Sequence, residues 1–369
     1  MAAVTTTETD LGHMRAALSL AARGLGRVWP NPAVGCVITD PTGHVVGRGH
    51  TQPGGRPHAE TEALRQAGMA ARGGTAYVTL EPCSHYGKTP PCAEALIAAG
   101  IKRCVVALGD PDPRVSGRGL ALLREAGIDV TEGVLQAEAD RLNAGFLKRI
   151  RQGQPLAALK LATTLDGRIA TRSGESQWIT GTASRQRGHL LRASYDAILV
   201  GSGSALADNP TLTCRLPGLA HRSPVRVVLD RRLRLSLDSI LVQTAHQTPT
   251  WLVTGSAHGD GQLAAFRSAG VEVIELPGQA GPQEILAALG GRGLTRLLIE
   301  GGAQVASAFL AADAIDRLIW MRAPGILGGD ALAAIGELGL DQLAAMRRFD
   351  LRAAQIIQGE CLETYDRLS

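Results

Sequence analysis

Apolar residues at Leu11, Met14, Leu18, Ala21 and Leu25 recur at helical spacing, with Asp10 placed to cap the helix and Gly26 to stop it. The next apolar run, 33–39, reads as a buried strand, which Pro41-Thr42-Gly43 turns into a second strand over 45–49. The period then alternates: helix 58–70, strand 75–80, helix 92–99, strand 103–108, helix 119–126, and a short strand at 128–130. Strands separated by helices predict an α/β layer structure. A closing helix over 135–150 leads into the polar Arg151-Gln152-Gly153-Gln154-Pro155. After it the alternation restarts, with strands predicted at 156–162, 197–201, 225–229, 251–254, 271–276 and 296–299. A chain of 369 residues exceeds one comfortable core. Two domains are therefore expected, 1–150 and 151–369, with the boundary inside 145–155.

Aromatic residues are only 3% of the chain, so its cores must be built from Ala, Val, Leu and Ile. The 45 glycines point to tight turns and to places where backbones come close. A net charge of +4 is small, and the arginines are scattered rather than gathered on a nucleic-acid-binding face. The densest cluster, Arg231, Arg232 and Arg234, reads as a solvated strand end or turn. A mild positive balance still suits small phosphorylated substrates. No apolar run reaches membrane-spanning length, and 1–10 lacks the apolar core of a signal peptide. The cysteines are too sparse and uneven for a disulfide framework. A cytoplasmic setting is expected, in which neighbouring Cys and His residues read first as metal-binding or catalytic.

His58-Ala59-Glu60 in a helix start, Pro82-Cys83 after a strand, and Cys92 at another helix start are such neighbours. One imidazole and two thiolates make three ligands, which is how a catalytic zinc site leaves a position for water; a structural site closes with four. Zinc can lower the pKa of bound water to about 7. Glu60, beside the ligand, is placed to carry a proton from that water to a departing amine. Helix starts also favour thiolates. A plainer reading makes His58 a helix cap and the cysteines buried apolar residues. A structural zinc module is the stronger rival, with His85 as the nearest fourth ligand. Cys36, Cys104, Cys214 and Cys361 are assigned to cores.

In the second half, a strand ending at Ile299-Glu300, two glycines and a helix from Ala303 would offer free N–H groups to a cofactor pyrophosphate. An ordinary strand-to-helix turn would look the same. Taken alone, Asp166-Gly167 is a hairpin turn and Trp178 a core aromatic.

The His-x-Glu and Pro-Cys pattern resembles the cytidine-deaminase superfamily, except that eight residues separate Cys83 from Cys92 instead of two. The stretch Thr79-Leu80-Glu81-Pro82-Cys83-Ser84-His85-Tyr86-Gly87-Lys88-Thr89-Pro90-Pro91-Cys92 closely resembles the deaminase half of the bifunctional riboflavin biosynthesis deaminase–reductase family. Residues 30–38 and Gly117-Arg118-Gly119-Leu120 resemble it too. In the second half, 160–170, 173–180, Leu191-Arg192-Ala193, 208–215 and Glu300-Gly301-Gly302 resemble the family's reductase half. The likeness is weakest over 231–290 and after 330.

That resemblance implies an α/β protein: a cytidine-deaminase-like three-layer α/β/α domain, then a dihydrofolate-reductase-like α/β domain. It implies one zinc per chain on His58, Cys83 and Cys92, with Glu60 catalytic, and NADPH in the reductase. The inserted loop would bring His85 and Lys88 to the rim of the metal pocket, where cations suit a phosphate monoester and the loop obstructs a polynucleotide. Asn31 is a turn residue or a reader of the base or sugar, and the resemblance favours substrate. In the reductase it puts substrate-binding positions on Ser176, Arg192, Leu212, Arg215 and Glu300, and cofactor positions on Ala162, Trp178, Ser204, Asp208 and the Gly302 turn. Lys160 is a candidate for organising the sugar or a strand-edge lysine. Ser204 stands where the family more often has Thr, and Asn209 replaces a frequent second acid beside Asp208. The implied chemistry is hydrolytic deamination of 2,5-diamino-6-ribosylamino-4(3H)-pyrimidinone 5′-phosphate, then NADPH-dependent reduction of its ribosyl chain. The expected partner is this small phosphorylated pyrimidine, with no nucleic acid and no membrane, and a homo-oligomer is expected.

Overall fold

A computed structural model describes residues 6–86, 90–113 and 115–368. The chain divides into two compact units, 1–153 and 154–369. Among the described residues no helix is long and apolar enough to cross a membrane.

The first unit runs α1 (Glu8–Ala22), β1 (Gly35–Thr39), β2 (Val45–His50), α2 (Ala59–Ala67), β3 (Thr75–Val78), α3 (Cys92–Ala98), β4 (Arg103–Val106), α4 (Arg118–Glu125), β5 (Asp129–Glu132) and α5 (Gln136–Gln152). Its sheet has the order β2-β1-β3-β4-β5, with β3, β4 and β5 parallel and β1 antiparallel to both its neighbours. Every residue of β1 is buried. Because successive side chains of a strand point to opposite faces, helices must cover both. α1 and α5 touch each other, as do α2 and α3, and α3 and α4. One core gathers Met14 and Leu18 of α1, Ala63 of α2, Leu96 of α3, Leu123 of α4 and Phe146 of α5 around Ile38 and Val105.

The first helix begins earlier than its apolar pattern indicates. Thr7 is the cap, and Asp10 is the third helical residue; each side chain accepts from the other's backbone N–H. Asp10 is 1% exposed, accepts two hydrogen bonds from the Arg103 guanidinium at 2.7 and 3.1 Å, and accepts a third from the Tyr77 hydroxyl at 3.1 Å. The helix ends at Ala22 with Arg23 as its C-cap, four residues before the expected stop at Gly26. At the other end of this unit α5 absorbs Arg151 and Gln152, and Gly153 closes it in the left-handed conformation that favours glycine.

The second unit runs β6 (Leu156–Thr163), β7 (Arg168–Ala170), α6 (Thr182–Ser194), β8 (Ala197–Gly201), α7 (Ser202–Asp208), β9 (Val225–Leu229), α8 (Ile240–Gln243), β10 (Thr250–Gly255), α9 (Asp260–Ser268), β11 (Glu272–Leu276), α10 (Pro282–Gly291), β12 (Arg296–Ile299) and α11 (Ala303–Ala311). It closes with β13 (Arg317–Arg322), β14 (Leu332–Ala333), β15 (Phe349–Ile357) and β16 (Glu360–Arg367). The sheet order is β11-β10-β9-β8-β12-β6-β13-β16-β15. From β11 to β13 all pairings are parallel, and the β15–β16 hairpin adds antiparallel strands at one edge. Both units are thus α/β, with helices against mixed sheets. Sequence patterning leaves β13, β15 and β16 unassigned. Most of β15 is exposed, so it lacks the buried face from which apolar alternation arises.

One assignment to the core needs correction: Cys361 on β16 is only partly buried, while Cys36, Cys104 and Cys214 are buried. Trp178, a core aromatic only when taken alone, is 65% exposed, as a cofactor-facing side chain can be. The Arg185 guanidinium stacks on the exposed Trp178 ring, 4.6 Å from the centroid.

Asp10→Ala removes the cap partner and the buried carboxylate of Arg103, which is left with Thr131 at 3.3 Å and the exposed Asp129 at 3.9 Å. It should destabilise the first unit by about 3 kcal/mol, the low end for one partner of a buried pair because Arg103 keeps some solvent. Urea unfolding of the full chain measures this, and a change below about 1 kcal/mol contradicts the role given to Asp10.

Candidate active sites

The first site grows from a close backbone approach. A Cβ at Gly49 would overlap the Ala59 carbonyl oxygen, and one at Gly47 would overlap that of Ala63. Bare backbone on β2 therefore lets the start of α2 lie against it. His58 occupies the N-cap position of α2 but makes no side-chain cap bond, so its ring is not spent on the helix. The ring turns instead to two sulfurs: His58 Nδ1 lies 3.3 Å from Cys92 Sγ and 3.6 Å from Cys83 Sγ. Cys92 opens α3, and its backbone N–H donates to Cys83 Sγ at 3.3 Å.

The donor atoms of His58, Cys83 and Cys92 all lie within 4.8 Å of one another. Ligand distances of about 2.0–2.1 Å for nitrogen and about 2.3 Å for sulfur, at tetrahedral angles, separate nitrogen from sulfur by about 3.5 Å. The observed spacings match, so the three side chains fit one zinc ion. Among the described residues neither His85 nor any other side chain joins the group. A hydrogen bond from Cys92, followed by that of His58, holds the Cys83 thiol down to about 4, the thiolate character a metal ligand needs.

Glu60, 3% exposed, sits in the first turn of α2 and lines the same cavity of about 240 Å³ as His58 and Cys83. Burial, reinforced by Cys83, pushes its carboxyl up to about 7. Asn31 and His85 line this cavity too. Gly55 packs against the Asn31 side chain, leaving no room there for a Cβ. Lys88 lies outside the described residues.

Sequence reasoning missed Asp110 and Asp112, which follow β4 and line the cavity. Burial pushes Asp110 up to about 6. The missed signal is the pair of acids in Asp110-Pro111-Asp112-Pro113 directly after a predicted strand. Glu81 holds this loop. Its carboxylate, 4% exposed, accepts from the backbone N–H groups of Asp110, Gly117, Gly119 and Leu120 at 3.0–3.4 Å. Gly119 in turn sits so close to the Pro82 carbonyl that a Cβ there would overlap it, which fixes α4 against the Pro82-Cys83 step.

In the second unit, β12 pairs in parallel with β6, Ile299 opposite Leu159, so Glu300 and Lys160 follow side by side. Arg192, on α6, forms a bidentate pair with Glu300: Nε donates to Oε1 at 3.0 Å and Nη2 to Oε2 at 2.9 Å. Burial pushes the Glu300 carboxyl up, but Arg192 and then Lys160 outweigh it and hold the group down to about 2. Arg192 Nη1 also donates to the Thr213 carbonyl at 3.2 Å, which ties the pair to the loop that carries Leu212 and Arg215. Leu212 is buried with φ +54°, and Arg215 donates to Thr211 Oγ1 at 2.9 Å. His189, one turn before Arg192 on α6, was missed; burial, then Arg192 and Arg215, push its pKa down.

Glu300-Gly301-Gly302 joins β12 to α11 with Gly302 as the N-cap, and a Cβ on Gly302 would touch Ser204 Oγ at 3.4 Å. Ala162 is half-buried in β6, Ser176 is exposed between β7 and α6, and Asp208 is exposed at the end of α7. No hydrogen bond or ion pair among the described residues joins Ser176 or Asp208 to the Arg192–Glu300 pair. Asn209 accepts from the Ile240 N–H at 2.9 Å, so its amide is engaged at the start of α8.

Residues 7–108 match the cytidine and deoxycytidylate deaminase zinc-binding region, and residues 155–360 match the RibD C-terminal domain. With the His-Cys-Cys cluster and the α/β folds, this defines a two-part enzyme, a zinc deaminase joined to a reductase. The riboflavin biosynthesis protein RibD of Escherichia coli is 43% identical over 354 residues, which cover 93% of this chain and 95% of that one. The solved structure of Acinetobacter baumannii RibD superposes with a TM-score of 0.88 at 39% identity, covering 98% of this chain and 99% of that one. The Thermotoga maritima diaminohydroxyphosphoribosylaminopyrimidine deaminase/5-amino-6-(5-phosphoribosylamino)uracil reductase gives 0.86 at 36% identity, with coverage of 98% and 99%. The chain belongs to the RibD family of riboflavin biosynthesis proteins. It is a bifunctional hydrolase and oxidoreductase, with zinc in the deaminase and NADPH as the reductant.

Glu81→Gln puts an amide N–H₂ among N–H donors. Hydrogen bonds to a buried charge contribute about 1.5–3 kcal/mol, so stability should fall by about that much. Amide hydrogen exchange should speed up at Asp110, Gly117 and Gly119 and stay unchanged in β3. Uniform exchange across the first unit would mean that Glu81 does not hold the loop.

Proposed function

We propose that the first unit performs the deamination and the second the reduction, with the two chemistries assigned residue by residue as follows. His58, Cys83 and Cys92 hold the zinc, and Glu60 moves the proton. Zinc supplies a water activated at neutral pH, and NADPH supplies the hydride. The observation that carries this reading is the three-donor group with a buried carboxyl beside it and, among the described residues, no fourth protein donor.

Glu60 accepts the proton of the attacking water and passes it to the amine nitrogen that leaves as ammonia. A carboxyl raised to about 7 can do both near neutral pH. Asn31 and Asp110 face the same cavity and supply acceptors and donors for the pyrimidine edge. His85, with Lys88, offers positive charge for the substrate phosphate.

In the reductase, Lys160 in the middle of β6, Arg192 on α6 and Glu300 just past the carboxyl end of β12 form one charged group. Three N–H groups of Arg192 are engaged, two by Glu300 and one by Thr213, so its remaining N–H groups and Arg215 are the ones offered to substrate. Ser176 and Leu212 complete the substrate side. Ala162, Trp178, Ser204, Asp208 and the Gly302 turn form the cofactor side. Gly302 meeting Ser204 supports a shared seat.

The partner is a small phosphorylated pyrimidine, and the compartment is the cytoplasm, a reading supported by six free cysteines. A homo-oligomer is supported by β15, an edge strand of nine residues with Leu351 55% and Ile356 75% exposed.

Two variants test the assignment together. Glu60→Gln keeps the volume but cannot accept and return the proton, so deamination should fall by about a hundredfold or more. Zinc content should stay at one per chain, and reduction of already deaminated substrate should continue. Zinc loss in that variant would make Glu60 a ligand and end the three-donor reading. Asp208→Asn should do the reverse, lowering reductase kcat/KM by at least about tenfold with deamination intact. If each variant impairs both reactions equally, the division of chemistry between the units is wrong.

A further inference from the structure

The chain between α7 and β9 carries Leu212 and Arg215, and its backbone is held at four points. Arg226 on β9, 1% exposed, donates from Nη1 to the Thr211 carbonyl at 3.3 Å. Arg192 Nη1 donates to the Thr213 carbonyl at 3.2 Å, and the Cys214 N–H donates to Ser223 Oγ at 3.1 Å. The fourth point is Arg215 itself, whose N–H donates to His189 Nδ1 at 3.3 Å. Beyond Arg215 the chain enters a turn in which Pro217 and Gly218 are exposed. His189 therefore stands where the held stretch ends.

His189 Nδ1 also lies 3.2 Å from the Thr213 carbonyl, so two groups compete for one ring nitrogen. The carbonyl already accepts from Arg192, whereas among the described residues the Arg215 N–H has no other acceptor. Only with Nδ1 as the acceptor are both backbone groups paired. The proton of a neutral imidazole then sits on Nε2. The ring stays neutral because burial, then Arg192 and Arg215, push its pKa down. The Arg215 side chain is braced as well, Nη1 donating to Thr211 Oγ1 at 2.9 Å. A fixed backbone and one fixed N–H together set where the rest of the guanidinium points.

We propose that His189 is a positioning residue of the reductase, fixing the Arg215 backbone and so aiming its guanidinium at the substrate. This rests on the reading that Arg215 is offered to substrate. An arginine on a free backbone samples many positions, and ordering it on binding weakens affinity; a pinned backbone is ordered beforehand. His189 and Arg192 lie three residues apart on α6, which puts them on one face, so a single helix organises both arginines.

Steady-state kinetics with already deaminated substrate at saturating NADPH tests the proposal. His189→Asn keeps an acceptor, Oδ1, at the place of Nδ1, whereas His189→Gln carries its polar atoms at the place of Nε2. His189→Gln should raise KM for the substrate at least about threefold with kcat within about twofold, as when only binding is lost. His189→Asn should recover most of that loss. Gln is the better helix former, so a role confined to the stability of α6 makes the opposite forecast. Arg215→Ala should raise KM at least about tenfold, and adding His189→Gln to it should raise KM no further, because both act through one contact. Losses that add in the double variant, or His189→Asn no better than His189→Gln, would overturn the proposal. So would a parent-like KM in His189→Gln while Arg215→Ala weakens binding. A parent-like KM in Arg215→Ala means instead that the reading of Arg215 fails, whatever His189→Gln does.

Discussion

Where α2 crosses β2, no side chains stand between the two backbones, because Gly47 and Gly49 lie directly under the carbonyls of Ala63 and Ala59. That contact sets the depth of α2 in the unit, and the depth sets where His58 and Glu60 point. Any larger residue would lift the helix and carry the imidazole away from Cys83 and Cys92, whose sulfurs lie 3.6 and 3.3 Å from it. Gly119 repeats the device beneath the Pro82 carbonyl, while Gly301 at the start of α11 makes room for the Val305 side chain, which a Cβ would meet at 2.7 Å. A chain with 45 glycines and few aromatics places its chemistry by bringing backbones close, with little bulk between them.

The two sites use buried carboxylates in opposite ways. At Glu60 burial and Cys83 outweigh the pull of His58, and its carboxyl rises to about 7, where a proton can be taken up and released. Glu300 is largely buried too, its side chain 12% exposed, but the Arg192 fork and then Lys160 hold it down to about 2, so it stays an anion throughout the working range. Environment alone separates a carboxyl that can exchange a proton near neutral pH from a fixed charge. Glu81 belongs with Glu300 in kind: four backbone N–H groups, in place of cations, surround a carboxylate that shapes a loop and transfers nothing.

Much of this was legible in the sequence. Helix and strand alternation followed the apolar period, and the zinc donors stood out because His-x-Glu, Pro-Cys and Cys at helix starts are rare together. The Glu300-Gly301-Gly302 turn was read correctly as a strand-to-helix step. What failed has a physical reason in each case. Asp10 looked like a cap because acids favour helix starts, but Thr7, outside the apolar period, takes that place. Cys361 looked like core because most free cysteines are, yet it lies only partly buried on β16, near the sheet edge. The β15–β16 hairpin was invisible because an exposed edge strand has no buried face to write an alternation into the sequence. Arg231, Arg232 and Arg234 were indeed exposed in a turn, yet which cavity that turn borders depends on strands β8 to β11, which no local pattern orders.

His189 was missed on a helix, but the acids missed at the first site lie in a loop after a strand, and that place explains why they were missed. Asp110 follows β4, just as the Pro82-Cys83 step follows β3, and the arginines follow β9 as Ser202 follows β8. In a parallel sheet every strand ends on the same side, so the loops after neighbouring strands converge even when 25 or more residues separate them in the chain. Convergence depends on strand order and register, and these are set by packing across the whole sheet. Lys160 and Glu300 meet only because β12 inserts between β8 and β6, with Ile299 opposite Leu159. A single sequence records which residues end each strand but not which strands are neighbours. The chemistry of this protein lies almost entirely in that second kind of information.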